Sequence, residues 1–412
     1  TKRDNLIPGG RIHNFRHFMD FPGDIFPPET HLNKPFDHPL LLERRVTDVV
    51  LERDVMLHFP YHSFYPVIDL LREAAIDPDV TSIKITAYRL AKNSKIINAL
   101  INAVRNGKQV TVMLELKARF DEEANLEWKE RLEDEGVKVL IGIPNMKVHA
   151  KLCIIRKRVA DRVLQYGFVS TGNLNESTAK VYADHCLLTS NKNVMADANR
   201  IFNYIEHHKT GNHFLKACTT LIPSPHFTRL EVLKLIATEI KNARRKRTAS
   251  IVAKMNSLSD EEIINALSEA AKEGVEVKLI VRGIFCMLSQ NPKFIKPVYA
   301  ISIVDSYLEH ARVWLFHNDG KEKMFISSAD WMVRNLDHRV EATCPIVDEG
   351  IKRELKNILT IQLQDNVKAR WLDNNLSNEY VHNTSDRRIR SQIEIYHYLQ
   401  NKTLAASEVS SH

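Results

Sequence analysis

IINALINAVRNGKQVTVMLEL, residues 96–116, returns as IINALSEAAKEGVEVKLIVRG, residues 263–283, at a constant offset of 167. Each copy reads as a helix closed by a glycine, Gly107 or Gly274, and then a strand rich in Val, Leu and Ile. The surroundings continue the alternation. SIKITAY (82–88) reads as a strand, DEEANLEWKERLEDEG (121–136) as a helix, and VKVLIG (137–142), KLCIIRK (151–157) and QYGFVST (165–171) as further strands. Strands alternating with helices imply βαβ units and a mostly parallel sheet with helices on its faces.

A second pair of blocks shows that the repeat is longer than one helix and one strand. VSTGNLNESTAKVYAD (169–184) aligns with FISSADWMVRNLDHRVE (325–341) at an offset of 157, which matches Ser170 with Ser327, Thr171 with Ser328, Asn173 with Asp330 and Asp184 with Glu341. Each half also carries a histidine before its block, His149 and His310. The expected fold is therefore α/β, two tandem domains of mostly parallel or mixed sheet flanked by helices. Their expected bounds are 45–212 and 213–402, the second ending in C-terminal helices, with 403–412 a disordered Ser-rich tail. Residues 1–44, rich in Pro, Gly, His and Phe without periodicity, read as an extended lead-in from an upstream domain.

Composition narrows the class of partner. Fifty-eight Lys and Arg against 51 Asp and Glu give a net charge of +7, which favours an anionic ligand without choosing one. Five cysteines, odd in number and without a C-x-x-C pair, point away from a disulfide framework or a zinc site. A reducing, cytoplasmic setting is expected, compatible with a peripheral membrane association. No apolar run reaches the roughly 18 residues of a membrane span. The chain begins with Thr1 and reads as a fragment or a processed product.

The chemistry concentrates in the repeated segments. KVHAKLCII (147–155) and LEHARVWLF (308–316) each place a histidine two residues before a cation, His149 with Lys151 and His310 with Arg312. On a strand, a spacing of two puts both on one face, a nucleophile or acid beside a fixed positive charge. The small polar turns STGNLN (170–175) and SSADW (327–331) can add amide and hydroxyl donors to a phosphate cradle. Asp184 and Glu341, equivalent in the repeat, are candidates to fix the histidine tautomers. One such strand is more often a solvated edge; two in register favour a site.

Doubled His-x-Lys signatures resemble the phospholipase D superfamily, with departures: Arg312 replaces the second Lys, and Arg156 stands five residues after Lys151 where an Asp is expected. The longer strings ITAYRLAKNS, ELKARFDEEAN, KVHAKL, STGNLNESTA, AISIVDSYLEH and SSADWMVRNLDHRVE resemble the long polyphosphate kinase family, a branch with the phospholipase D fold that transfers phosphate from ATP. That resemblance, over about residues 10–400, implies that His149 is the phosphorylated histidine and His310 the second active-site histidine and an ATP contact. It implies nucleotide contacts at Tyr182 and Arg282, and it places Arg89 and Arg119 around magnesium and the phosphates. A guanidinium offers only donors, so these two read as phosphate clamps rather than metal ligands. It further implies that the carboxylates cross, Glu341 to His149 and Asp184 to His310. The implied cofactors are Mg²⁺ and ATP/ADP. The implied partners are inorganic polyphosphate, adenine nucleotide, upstream domains and a homo-oligomer, with nucleic acid not a main partner. The alternatives are a phospholipase D-type phosphodiesterase or nuclease, and a non-catalytic polyanion-binding module.

Overall fold

The computed structural model describes residues 34–87, 94–115, 122–382 and 387–410. Most of the expected lead-in, residues 1–33, lies outside them. The first half runs α1 (Val46–Glu52), β1 (Val55–Phe59), α2 (Tyr65–Ile76), β2 (Val80–Ala87), α3 (Lys95–Arg105), β3 (Gln109–Leu114), α4 (Glu122–Asp134), β4 (Lys138–Ile141), the two-residue β5 (Lys147–Val148), β6 (Lys151–Val159), β7 (Arg162–Ser170), β8 (Tyr182–Thr189) and α5 (Lys192–Glu206). After the short α6 (Asn212–Lys216) the second half runs β9 (Ile222–Ser224), α7 (Phe227–Arg244), β10 (Ser250–Met255), α8 (Glu261–Lys272), β11 (Glu276–Val281), β12 (Tyr299–Ile303) and the two-residue β13 (Leu308–Glu309). It continues with β14 (Arg312–Phe316), β15 (Lys323–Ser327), α9 (Val333–Asp337), β16 (Arg339–Ile346) and α10 (Glu349–Leu363). β17 (Ala369–Trp371) and α11 (Ser391–Ser410) end the described chain.

The two sheets repeat one topology. The first has the order β1-β8-β7-β6-β2-β3-β4, with β2, β3 and β4 parallel and the rest antiparallel. In the second, β10, β11 and β12 are the parallel strands, β14, β15 and β16 follow antiparallel, and β9 pairs with β16 as β1 pairs with β8. The offset falls from 167 to 161 between the helix blocks and the histidines, where α4 has no helical counterpart between β11 and β12. It falls again to 157 because the β6–β7 hairpin is longer than β14–β15.

Local chemistry builds the repeated helices alike. The Ser94 hydroxyl caps α3 by accepting from Ile97 N, and the Asp260 carboxylate caps α8 by accepting from Ile263 N at 3.1 Å. Each helix is followed by a glycine in the left-handed region, Gly107 at φ 78° and Gly274 at φ 86°, a conformation that would strain any side chain. Isoleucines and leucines at helical spacing, Ile96, Ile97 and Leu100 in α3, Ile263 and Leu267 in α8, face the core. Three large apolar clusters result: one in each half, and one between the sheets that joins Leu152 and Ile154 of β6 to Val313 and Leu315 of β14. Full burial of such a side chain contributes about 1.5–3 kcal/mol, so this shared layer ties the halves together.

Two expectations need correction. α11 runs through Ser410, so most of the segment 403–412 expected to be disordered is helical; Leu404, Ala405 and Ala406 are good helix formers. Neither histidine lies within a strand. His149 and Ala150 fall between β5 and β6, and His310 and Ala311 between β13 and β14, because the chain changes sheets there. Among the described residues no helix is long and apolar enough to cross a membrane.

Candidate active site

The change of sheets assembles the site. β5 leaves the first half to pair in parallel with β16 of the second, Val148 opposite Val340, while β13 leaves the second half to pair in parallel with β8 of the first, Glu309 opposite Ala183. Just beyond each two-residue strand, the histidine and its neighbour bond to one carbonyl of the other half. His149 N and Ala150 N donate to Val340 O at 2.8 and 2.9 Å, and His310 N and Ala311 N donate to Ala183 O at 3.1 and 2.8 Å. The residue after each of those carbonyls is a carboxylate, Glu341 or Asp184. The crossing follows from this register. Glu341 Oε2 lies 2.9 Å from His149 Nδ1, and Asp184 Oδ2 lies 2.8 Å from His310 Nδ1.

A hydroxyl at equivalent positions steadies each carboxylate: Thr171 Oγ1 donates to Asp184 Oδ1 at 2.6 Å, and the Ser328 hydroxyl donates to Glu341 Oε2. Asn335 Nδ2 adds a 2.7 Å bond to Glu341 Oε1. Gly172 is required beside this pair, since a Cβ there would overlap the Asp184 carboxylate. These groups are buried or nearly so, which makes every polar partner count.

The cations differ between the halves. Lys151 Nζ donates to the carbonyl of His149, and burial lowers its pKa to about 7. Arg312 is held by Asp330 through Nε to Oδ1 and Nη2 to Oδ2, both at 3.1 Å, and its Nη1 donates to His310 O at 2.9 Å. Nη1 is 3.4 Å from His310 Nδ1 and 3.2 Å from Nε2. A nitrogen so nearly equidistant from both ring nitrogens sits over the ring rather than in its plane. Burial disfavours ionisation of Asp330, yet the Arg312 guanidinium outweighs it and holds the carboxyl at about 2.

The same setting keeps both imidazoles neutral. Burial pushes His149 well below the usual histidine range, and Lys151, Arg339, Arg312 and His310 push it further. Burial also lowers His310; Asp184 opposes the shift without reversing it, while Arg312 and Lys151 add to it. Burial would raise Asp184, but His310, Thr171 and Arg312 hold it below the ordinary value; Glu341 is raised by burial. Each imidazole then donates from Nδ1 to its carboxylate and carries its lone pair on Nε2.

Arg282 and Tyr182 stand beside His310. Arg282 Nε donates to Glu309 O at 2.7 Å, its Nη2 donates to Asn256 Oδ1 at 2.9 Å, and the Tyr182 ring centroid is 5.1 Å from that of His310. Thus His149, His310, Lys151, Glu341, Asp184, Tyr182 and Arg282 belong to one constellation around the crossed histidines. Arg89 and Arg119 lie outside the described residues. The hydroxyls of Thr171 and Ser328, expected as donors to a phosphate cradle, donate instead to the two carboxylates, and the parts played by Asp330, Asn335 and Asn256 are not evident from the sequence. A signal for Asp330 existed: where the repeat exchanges Lys151 for Arg312 it also exchanges Asn173 for Asp330, a cation and its counter-ion changing together.

No group of three or more His, Cys, Asp or Glu among the described residues is arranged to hold a metal. Asp184, Glu341 and Asp330 already serve His310, His149 and Arg312. The described residues therefore offer no protein cage for magnesium.

Comparison with known proteins agrees with this geometry. Residues 45–211 match the family model of polyphosphate kinase C-terminal domain 1, and residues 221–392 that of C-terminal domain 2. The polyphosphate kinase of Vibrio cholerae is 44% identical over 405 residues, 97% of this chain and 56% of that protein. That of Escherichia coli K12 is 42% identical over 410 residues, 97% of this chain and 58% of that protein. The chain thus spans little more than half the length of these relatives. The crystal structure of polyphosphate kinase from Porphyromonas gingivalis superposes with a TM-score of 0.84 at 39% identity, covering 90% of this chain and 57% of that one. Phosphatidylserine synthase from Haemophilus influenzae shares the fold alone, with a TM-score of 0.54 at 12% identity over 92% of this chain and 97% of that one. The architecture is that of two tandem phospholipase D-like domains, and the chain belongs to the polyphosphate kinase family, whose C-terminal domains 1 and 2 it carries.

Proposed function

We propose that this chain transfers the γ-phosphoryl group of ATP to the end of an inorganic polyphosphate chain, reversibly, through a phosphohistidine at His149. The observation that carries the reading is the buried His149–Glu341 pair formed across the two halves. With Nδ1–H donated to Glu341, the Nε2 lone pair attacks the γ-phosphorus, a P–N bond forms, and the bond to the β–γ bridging oxygen breaks with its electrons leaving on ADP. The ring gains positive charge in that step, and the carboxylate behind it offsets the gain. A terminal oxygen of polyphosphate then attacks the same phosphorus, and the P–N electrons return to Nε2. Both bonds exchanged are phosphoanhydrides, so neither direction is strongly favoured.

His310 faces the reaction from the other half. Neutral in the free site, it takes a proton once a polyanion arrives, because added negative charge raises its pKa, and Asp184 supports the resulting cation. Lys151, Arg282 and Arg312 neutralise charge spread over the transferring oxygens. Tyr182 stacks beside the base. Arg89 and Arg119 act as phosphate clamps next to substrate-borne magnesium. We assign the two catalytic domains to residues 45–212 and 213–402, and we propose a cytoplasmic homo-oligomer that works with further domains of the same protein. The test is polymer formation from ATP and a polyphosphate primer. His149→Asn should abolish it in a protein with an unchanged circular dichroism spectrum, and wild-type synthesis by that variant would overturn the reading.

A further inference from the structure

The strand that delivers His310 is gripped from an unexpected place. Glu309, the residue before His310, is buried with three donors on its carboxylate: Lys254 and Gln362 on Oε2, and Gln392 on Oε1 at 2.8 Å. Gln392 lies in the first turn of α11, far along the sequence. Its Nε2 also donates to Tyr307 O at 2.9 Å, and its Oε1 accepts from Tyr307 N at 2.9 Å. One side-chain amide therefore holds both backbone groups of Tyr307 and the carboxylate of Glu309, on either side of Leu308. The carbonyl of the same Glu309 receives Arg282 Nε. A shift of β13 would displace His310 and Arg282 together.

A second chain of polar contacts, half exposed at Lys402 and buried from Glu354 inward, leads from α11 to the other member of the pair. Lys402 Nζ donates to Glu354 Oε2, Glu354 Oε1 lies 2.7 Å from His58 Nε2, and His58 Nδ1 lies 2.8 Å from His185 Nδ1. His185 directly follows Asp184, and its carbonyl accepts the Ser170 hydroxyl at 3.2 Å while its N–H donates to Thr171 Oγ1 at 3.0 Å, the hydroxyl that holds Asp184. Removing a partner from such a desolvated network leaves orphaned polar groups that restore themselves by moving backbone.

We infer that helix α11 is a brace for the His310–Asp184 pair, with Gln392 and Lys402 as positioning residues that act through Glu309 and His185. The inference rests on the proposed role of that pair, so its test reads geometry as well as turnover. In Gln392→Ala, kcat should fall roughly tenfold or more with a smaller change in the KM for ATP. The ¹⁵N signals of His310, assigned with His310→Gln, should shift from a single Nδ1–H tautomer towards a mixture. Gln400→Ala, on the same helix but with its side chain bonded, among the described residues, only to Tyr396 of that helix, should leave both unchanged. A Gln392→Ala protein with wild-type kcat and unaltered His310 signals would overturn the proposal. Lys402 is nearly half exposed, so Lys402→Met folds even if Gln392→Ala does not; it should lower kcat about threefold and shift the same signals. Unchanged values there would also overturn it. If the protein proves inactive as a kinase yet the His310 signals move, the brace stands and the functional reading fails.

Discussion

Replacing Glu341 by Gln probes how much of the chemistry depends on a charge behind His149. The carboxylate receives Asn335 Nδ2 on one oxygen, and His149 Nδ1 and the Ser328 hydroxyl on the other. A glutamine must present its NH₂ on one side. Facing His149, it would force the Nε2–H tautomer and remove the nucleophilic lone pair. Facing Asn335, it meets another NH₂, but the Asn335 amide can turn over because its own Oδ1 has no hydrogen-bond partner among the described residues. The second arrangement keeps the fold and the tautomer and loses only the charge. A hydrogen bond to a charged group is worth about 1.5–3 kcal/mol, so kcat should drop by about ten- to a hundredfold. The KM for ATP should barely change, since Glu341 is fully buried behind the histidine. Rapid-quench measurement of ADP formation in a single turnover, alongside steady-state kinetics, separates the two quantities. A variant whose only defect is weaker ATP binding, or one with unimpaired turnover, would refute the reasoning.

Lys151, with its pKa lowered to about 7 by burial, gives a pH signature in stability. Between about pH 7.5 and 9 the unfolded chain holds a proton there that the folded chain has released, so folding stability relative to Lys151→Met should rise with pH by up to about 1.4 kcal/mol per unit. Urea unfolding of both proteins across that window checks it, and a flat difference would contradict the depressed pKa. Gly172→Ala should push the Asp184 carboxylate away from His310 and reduce turnover more than it lowers the melting temperature; an unimpaired variant would show that the close approach is unimportant. Polyphosphate binding should weaken steeply with salt, and neutralising one contacting Arg or Lys should reduce the log–log slope by about one. Equal affinity at low and high salt would rule out a charge-lined path.

The internal repeat made much of this legible. A helix-to-strand block at one offset and a Ser/Thr-to-carboxylate block at another were enough to place two similar domains and two equivalent His and carboxylate positions. What escaped was short. β5 and β13 have two residues each, and KVHAKL alternates as one continuous strand would; periodicity cannot reveal that its two ends pair in different sheets. The crossing of carboxylates needed the family resemblance, and the structure supplies its cause in that exchange. Asp330 was visible as an alignment partner of Asn173 but meant nothing until Arg312 was seen on it. Gln392 and Lys402 lie on a terminal helix with no repeat partner, so nothing in the sequence tied them to His310.

The central claim is that His149 carries the phosphoryl group between ATP and polymer. Brief incubation with γ-labelled ATP, quenching in alkali, and peptide mapping test it most directly. The account predicts acid-labile, alkali-stable label on the peptide containing His149, lost when unlabelled polyphosphate is added and absent from His149→Asn. Polymer synthesis at a normal rate with no label on that peptide at any time, or label on another residue, would contradict it.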